Sequence, residues 1–320
     1  MTNPRLNKEI VALAYRLYFG RDPESPEVVD EKLRVCQTTE QLGRLLASSQ
    51  EFREGNVCWA PTDWPPIQID VEIGETMLAQ MFLQTAKVWT ELGRDEPYWS
   101  VLSAENYRRG RFEEHSEGFW DSGRRDLAVF EAFLARNGIA LSGEGVCLEL
   151  GSGVGRVTRW LSPKFKTVLA YDISSAHLAL AEQHLQAGGI ANVVLHHLRD
   201  EREFDRFPEI DAFFSVIVLQ HNPPPVIKRL IGVALGRLRS GGIAYFQVPT
   251  YARGYSFDAD AYLRSGRRKG IEMHVLPQGH IFDLMSRFGC SLLEVREDGW
   301  VGMPGWISNT FLIQKGRQPA

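Results

Sequence analysis

The feature that most constrains the fold is a glycine-rich turn directly after a short apolar run. Residues 146–150 are apolar apart from Glu149, and they lead into Gly151-Ser152-Gly153-Val154-Gly155. A reversal from strand to helix requires backbone angles that a Cβ would oppose, and a ligand can approach the backbone only where side chains are absent. The segment therefore predicts a strand, a ligand-binding turn and a helix that begins within the glycine run.

An acidic residue follows at the distance expected in a nucleotide-binding sheet. Asp172 stands twenty-one residues after Gly151, at the end of a second apolar run over residues 168–171. At that place a carboxylate can accept hydrogen bonds from both hydroxyls of a ribose. Turn, helix, second strand and terminal acid in this order predict a cofactor that contains a ribose.

The rest of the C-terminal half alternates short apolar runs with helical stretches. Further apolar runs cover residues 193–195, 212–218 and 243–248. This alternation predicts an α/β fold with a doubly wound, mostly parallel sheet.

The spacing of the glycines separates two classes of cofactor. The dinucleotide fingerprint G-x-G-x-x-G does not fit, because Gly155 comes one position early and Arg156 occupies the expected place. With Glu149 before it, the turn instead resembles the first motif of class I S-adenosylmethionine-dependent methyltransferases. The resemblance covers roughly residues 118–320 and implies S-adenosylmethionine as the cofactor.

The same resemblance extends to later elements and implies a Rossmann-like sheet of seven strands. Residues 238–246 are similar to the helix-end turn and fifth strand of those enzymes. Residues 290–295 and 308–314 would then supply the terminal antiparallel pair.

The resemblance also implies which residues bind the cofactor. Asp172 matches the acid on the ribose, and Asp200 stands where the family often places an acid against the adenine amino group; a solvated charge is the equal alternative for Asp200. Arg124 and Arg156 are candidates for the cofactor carboxylate, or for ion pairs on helix surfaces. The predicted cofactor-binding residues are Glu149, Gly151, Ser152, Gly153, Gly155, Arg156, Asp172, Ile173, Asp200, Arg124 and Gln220.

The chain leaving the fourth strand contains the candidate catalytic residue, His221. A ligand of an open α/β sheet lies beyond the carboxyl ends of the strands, and His221 resembles the histidine that many small-molecule methyltransferases have there. We predict that it is a general base, with a structural histidine as the alternative.

Pro225 follows Asn222-Pro223-Pro224 in place of an aromatic residue, which argues against a methyltransferase acting on amide or adenine nitrogens. The loop offers no carboxylates for magnesium, so we expect no metal.

A group of aromatic residues and one histidine is predicted to line or cover the substrate site. These residues are Tyr98, Trp99, Tyr251, Tyr255 and His274. Residues 97–101, 219–224 and 246–251 together resemble a bacterial methyltransferase group encoded with polysaccharide biosynthesis enzymes. That resemblance implies O-methylation of a sugar hydroxyl in a surface glycan or its nucleotide-linked precursor; another small-molecule acceptor stays open.

The N-terminal part of the chain has a different pattern of apolar residues. Apolar residues recur at helical spacing over residues 10–18 and 42–52, which predicts a helical bundle at 1–56. A linker and helical lid segment at 57–117 would join it to a methyltransferase domain at 118–320. The bundle resembles a small helical domain of unknown function found in bacterial surface-polysaccharide enzymes and secreted proteins, and a protein partner for it stays open.

Charge and cysteine usage exclude several classes of protein. Lys and Arg number 36 against 40 Asp and Glu, so the net charge of -4 offers no basic field for nucleic acid. Four scattered cysteines without a C-x-x-C pair suggest neither a zinc cluster nor a disulfide framework. With no signal peptide and no apolar window of membrane-spanning length, we expect a cytoplasmic protein.

Two further functions stay open at this point. The chain could bind S-adenosylmethionine without catalysis and act as an interaction module, or it could be an oxidoreductase on the same kind of sheet.

Overall fold

The computed structural model describes residues 6–52, 64–266 and 270–316. The chain divides into two compact units, Met1–Trp64 with Gly302–Ile307, and Pro65–Val301 with Ser308–Ala320. The predicted linker begins at residue 57, and its first residues belong to 53–63, which lie outside the described residues. The predicted domain boundaries at residues 56 and 117 therefore stay predictions.

The N-terminal unit contains the helices α1 (Lys8–Phe19), α2 (Pro26–Val35) and α3 (Thr39–Ala47). The side chains of Asn7 and Thr38 cap α1 and α3 by accepting hydrogen bonds from backbone N–H groups. Gly20 ends α1 in the left-handed conformation, with a φ of 68°. The predicted N-terminal helical bundle is confirmed, and its buried core consists of Val11, Tyr15, Cys36, Leu42 and Leu46.

The second unit is built around a sheet of seven strands. The strands of the main sheet and of a small second sheet are, in chain order, β1 (Gln68–Ile69), β2 (Val146–Leu150), β3 (Thr167–Asp172), β4 (Val193–His197), β5 (Ile210–Ser215), β6 (Leu238–Ala252), β7 (Ser256–Phe257), β8 (Cys290–Asp298) and β9 (Trp306–Lys315). The main sheet has the order β4-β3-β2-β5-β6-β9-β8, and β1 pairs with β7 separately. Strands β2 to β6 run parallel, and β8 pairs antiparallel with β9. The predicted mostly parallel, seven-stranded sheet is confirmed.

Helices cover both faces of this sheet. They are α4 (Glu75–Asp95), α5 (Pro97–Val101), α6 (Phe112–Arg136), α7 (Thr158–Leu161), α8 (Ser175–Ala187), α9 (Pro224–Arg237), α10 (Ala259–Arg264) and α11 (Gln278–Arg287). None of the helices in the described residues has an apolar stretch long enough to cross a membrane.

Neighbouring residues of the central strands pack on opposite faces. Phe213 joins a core with Phe82 of α4 and Ile227 of α9, whereas Phe214 joins a second core with Phe130 of α6. Because side chains alternate across a strand and both faces are buried, the strand sequences are apolar throughout.

Two local predictions were wrong, and both corrections concern the edge of the sheet where the site lies. The glycine run does not begin a helix: α7 starts at Thr158, because every second residue from Gly151 to Gly155 has a positive φ, which a right-handed helix cannot accommodate. Strand β5 ends at Ser215 rather than at residue 218, because Ile217 has a φ of 60°. A left-handed β-branched residue is unusual and marks a turn held by its surroundings.

Candidate active site

The glycine turn after β2 is shaped by close neighbours on two sides. Gly151, Gly153 and Gly155 have φ values of 76°, 55° and 84°. A Cβ on Gly151 would lie 2.2 Å from a methyl group of Val218, and one on Gly153 would lie 3.0 Å from Val101 of α5. The turn therefore lies between the exit of β5 and the short helix α5, which we call the lid helix.

Asp172 fixes the same turn from the end of β3. Its Oδ2 accepts a hydrogen bond from Gly153 N–H and its Oδ1 accepts one from Ser174 N–H, both at 2.8 Å. The carboxylate is almost fully buried, yet it lines a cleft beside the turn. Each carboxylate oxygen has a second lone pair, so Asp172 can also accept hydrogen bonds from a ligand.

The cleft encloses about 900 Å³ of space, counting the part open to solvent. It gathers many of the predicted residues: Glu149, Gly151, Ser152, Gly153, Arg156, Asp172, Ile173 and His221. Other residues that line it were not singled out from the sequence, including Trp89 on α4, Ser100 and Val101 on the lid helix, and His177 on α8.

Glu149 is a buried acid without a full set of partners. Its side chain is 3% exposed, and its Oε2 has no hydrogen-bond partner within the described ranges of the chain. Burial raises its pKa to about 7, with nearby Arg156 opposing that shift. A cationic group in the cleft would satisfy this carboxylate, because a buried charge is stable only when it is paired.

Arg156 is held beneath the cleft by a partner on α6. Its Nη1 lies 2.6 Å from Asp126 Oδ2, and both side chains are only 5% exposed. Nη1 also donates to Ser122 Oγ at 3.0 Å, while Nε has no hydrogen-bond partner among the described residues. Helix α6 comes this close because residue 123 is glycine: a Cβ there would lie 2.2 Å from the Arg156 carbonyl oxygen.

A directional chain of hydrogen bonds fixes His221. Ile217 N–H donates to Gln247 Oε1 at 3.0 Å, so the Gln247 amide nitrogen must face Gln220 Oε1, 2.9 Å away. Gln220 then presents its own amide nitrogen to His221 Nε2 at 3.2 Å. His221 Nδ1 lies 2.9 Å from the carbonyl oxygen of Glu272, which can only accept. His221 is therefore the tautomer with its proton on Nδ1 and its lone pair on Nε2.

The surroundings of His221 keep it neutral. Burial lowers its pKa to about 4, and the Trp89 ring lies 5.1 Å from the imidazole ring. At neutral pH Nε2 is consequently unprotonated, and its lone pair accepts the hydrogen bond from the Gln220 amide.

The lid helix is attached to α8 through two histidines. His177 Nε2 lies 2.9 Å from Ser100 Oγ and 3.1 Å from the Pro97 carbonyl oxygen, and His184 Nε2 lies 3.0 Å from Tyr98 Oη. These contacts place Ser100 and Val101 in the wall of the cleft.

The predicted substrate-site residues Tyr98, Trp99, Tyr251, Tyr255 and His274 do not line the cleft. Tyr98 stacks on Phe112, and Trp99 packs under the guanidinium of Arg108. Tyr255 Oη contacts His274 Nδ1 at 2.8 Å, and Tyr251 donates to the Pro65 carbonyl oxygen at 2.8 Å.

Three polar members of the predicted cofactor set have local partners. Asp200 Oδ1 accepts from Arg202 N–H at 3.0 Å and caps a short 3₁₀ helix, and exposed Arg124 pairs with Asp121 at 2.6 Å. Gln220 belongs to the hydrogen-bond chain that ends at His221. Gly155 faces Ala181 on α8. In the described parts of the chain, no three His, Cys, Asp or Glu side chains converge as metal ligands.

Comparison with known proteins adds two findings. A family model described as a methyltransferase domain matches residues 148–244, from β2 into β6. The fold is similar to that of magnesium protoporphyrin IX methyltransferase from Synechocystis PCC 6803 with bound SAH, at 15% identity and a TM-score of 0.51, covering 72% of this chain and 98% of that one. Residues 148–244 therefore match a methyltransferase domain, and the chain has the fold of a known methyltransferase.

More distant likenesses include a putative sarcosine dimethylglycine methyltransferase from Galdieria sulphuraria, at 16% identity and a TM-score of 0.46, covering 72% of this chain and 98% of that one. No curated protein sequence matches the chain significantly. The matched methyltransferase domain contains the glycine turn, Glu149, Asp172 and His221.

Proposed function

We propose that this chain transfers the methyl group of S-adenosylmethionine to a hydroxyl group of a small molecule, and that the acceptor is a sugar hydroxyl of a bacterial surface glycan or its nucleotide-linked precursor. The observation that carries the proposal is the buried Oε2 of Glu149, which finds no partner in the described segments, beside a glycine turn that a Cβ would obstruct. A small cationic ligand that lies against bare backbone fits both features.

The described residues fit the parts of this cofactor in order. Glu149 would pair with its ammonium group, and Arg156, whose Nε lacks a hydrogen-bond partner among them, would face its carboxylate. Asp172 would accept hydrogen bonds from the ribose hydroxyls. The apolar side chains of Leu198 and Phe204 in the cleft wall would enclose the adenine ring.

His221 lines the cleft and would stand at the end where the methyl group is transferred. When bound, the cofactor supplies a sulfonium-activated methyl group, so positioning of the acceptor contributes much of the rate. His221 Nε2 would accept the proton of the acceptor hydroxyl, once the Gln220 amide gives up its hydrogen bond to that nitrogen. Because the pKa of His221 is only about 4, proton transfer has to accompany bond formation rather than precede it.

The sugar acceptor rests on the resemblance of residues 97–101, 219–224 and 246–251 to methyltransferases encoded with polysaccharide biosynthesis enzymes. We place the reaction in the cytoplasm because four scattered cysteines suit a reducing compartment. The N-terminal unit would be the site that binds a partner protein.

Calorimetry tests the part of the proposal on which the rest depends, the identity of the cofactor. We expect S-adenosylmethionine and S-adenosylhomocysteine to bind at one site and NAD not to bind. Binding of NAD in place of both would make the chain an oxidoreductase candidate. Binding of the cofactor without methyl transfer to any glycoside, nucleotide sugar or glycan fragment in a labelled-donor screen would favour a non-catalytic module.

A further inference from the structure

A row of hydrogen-bonded polar side chains crosses the main sheet and ends at His221. Strands β5, β6, β9 and β8 are neighbours in that order. The row consists of Gln220 after β5, Gln247 on β6, Ser308 on β9 and Asp298 on β8, and we call it the polar row. Gln220, Gln247 and Ser308 are buried, so the direction of each hydrogen bond between them restricts the next.

Asp298 fixes the end of the polar row that is far from His221. Its Oδ1 accepts from Trp300 N–H at 3.1 Å, its Oδ2 accepts from Thr310 Oγ1 at 2.8 Å, and the Ser308 hydroxyl is also hydrogen-bonded to it. Burial raises the pKa of Asp298, and these hydrogen bonds oppose that shift. Because an ionised carboxylate only accepts, Ser308 has to donate its one proton to Asp298. Ser308 Oγ can then only accept from the Gln247 amide nitrogen, 2.6 Å away.

Gln247 is therefore oriented from two sides. Its Oε1 accepts from Ile217 N–H, and its amide nitrogen donates to Ser308 Oγ and to Gln220 Oε1. Both protons of the Gln247 amide are used in this way. Gln220 consequently has its oxygen towards Gln247 and its amide nitrogen towards His221 Nε2.

The orientation of Gln220 decides which charge state of His221 is favoured. His221 Nδ1 already donates to the Glu272 carbonyl oxygen, so an unprotonated Nε2 matches the Gln220 amide nitrogen. If Gln220 were turned over, its oxygen would face Nε2 and would stabilise a proton there. With protons on both nitrogens the imidazole would be a cation, hydrogen-bonded at each end.

We propose that Ser308 and Asp298 are positioning residues of the active site, which hold the Gln220 amide nitrogen against His221 Nε2 and so keep the imidazole neutral. The inference rests on the proposed function in one respect, that His221 is the base. A base has to be unprotonated before the acceptor hydroxyl arrives, and the polar row maintains that state from the edge strand β8.

Other titratable groups also act on His221. The charge of His274 lowers the pKa of His221, and Glu272 lies beside His274, with Oε2 3.4 Å from its Nε2. The charged and titratable side chains that line the cofactor cleft with His221 are Glu149, Arg156, Asp172 and His177. Substitutions at Ser308, Asp298 or Thr310 leave all of these side chains in place.

NMR titration of the ¹⁵N-labelled histidines in the full chain tests the polar row without requiring methyl transfer. The pH is lowered from 8 as far as circular dichroism shows a folded protein, and His221→Ala assigns the signal. In Ser308→Ala, Nε2 should take up its proton at a pH higher by about one unit or more, the scale of a hydrogen bond to a charged group. Thr310→Val is the matched control: it removes a hydroxyl from the same carboxylate outside the polar row, and it should titrate like the parent.

Asp298→Asn gives a second test, in which two effects have opposite signs. Loss of a negative charge by itself would lower the pKa of a histidine. Release of Ser308 from Asp298 should instead raise the pKa of His221, because Gln247 and Gln220 can then turn over.

The outcomes separate the polar row from the proposed function. Equal titration of His221 in Ser308→Ala and the parent, a shift of the same size in Thr310→Val, or a lowered pKa in Asp298→Asn would each overturn the inference. Failure of the parent to bind S-adenosylhomocysteine in calorimetry would refute the proposed function, whereas the titration would still measure the polar row. In labelled methyl transfer, the acid limb of the rate profile of Ser308→Ala should move to higher pH together with the titration. A shifted titration with an unchanged acid limb would refute His221 as the base and leave the polar row in place.

Discussion

At neutral pH the Glu149 carboxyl lies near its titration midpoint, because burial raises its pKa from 4.5 to about 7. A raised pKa in the folded state means that the protein binds this proton more tightly when folded. The contribution to stability is therefore complete below pH 4.5 and is lost as the pH rises through about 7.

Glu149→Gln removes this dependence. Relative to the variant, the parent should lose about 3 kcal/mol of unfolding free energy between pH 4.5 and pH 8, the equivalent of the raised pKa. Urea denaturation of both proteins across this range measures the difference. Glu114→Gln, an exposed carboxyl on α6, is the control and should show no comparable trend. Parallel pH curves for Glu149→Gln and the parent would show that Glu149 has a water-like environment.

His221 gives a second prediction at the residue scale. With a pKa lowered to about 4, the imidazole is neutral from pH 6 to 8, so base catalysis should show no titration in that range. His221→Ala should lower turnover by roughly a hundredfold or more and change cofactor affinity by less than about threefold. Labelled methyl transfer and ¹⁵N NMR test both parts, the latter by a protonated Nδ1 and an unprotonated Nε2. An alanine variant with the parent's turnover would leave His221 a structural residue.

At the scale of elements, the glycine turn and the lid helix form one wall of the cofactor cleft. A Cβ on Gly153 would combine a left-handed φ with a 3.0 Å approach to Val101. Gly189, at the end of α8, has a similar φ of 66°, but a Cβ there would meet no atom of the described residues within 4 Å, its chain neighbours aside. A substitution at Gly189 would therefore cause backbone strain alone, whereas one at Gly153 would cause the same strain and also push against the lid helix.

Alanine at each position makes that separation measurable. Both Gly153→Ala and Gly189→Ala should lose about 1–2 kcal/mol of stability, the cost of a left-handed alanine. Only Gly153→Ala should also weaken S-adenosylhomocysteine binding, by about tenfold or more, because its methyl group displaces the lid helix. Equal cofactor affinity in the two variants, measured by calorimetry, would remove Gly153 from the binding surface.

At the scale of the whole molecule, the sequence reveals those features whose causes are local. The strands are predictable because residues such as Phe213 and Phe214 pack on opposite buried faces and leave an apolar run. The ion pair of Asp126 with Arg156 and the hydrogen bond of Gln247 with Ile217 cannot be predicted from the sequence. In each case the two partners are 30 residues apart along the chain. The early end of β5 cannot be predicted from the sequence either, because the left-handed conformation of Ile217 depends on a hydrogen bond to Gln247 on β6.

The location of the cleft gives a prediction for the molecule as a whole. Every residue that lines it falls between Phe82 and Leu230, within the second unit. The first unit has its own buried core around Val11 and Leu42. Deleting residues 1–56 should therefore leave S-adenosylhomocysteine affinity within about threefold of the parent, since neither core nor cleft of the second unit loses a side chain. Calorimetry on the truncated chain measures this, with circular dichroism to establish that the remainder is folded. A folded truncation that no longer binds the ligand would show that the N-terminal unit contributes to the active site.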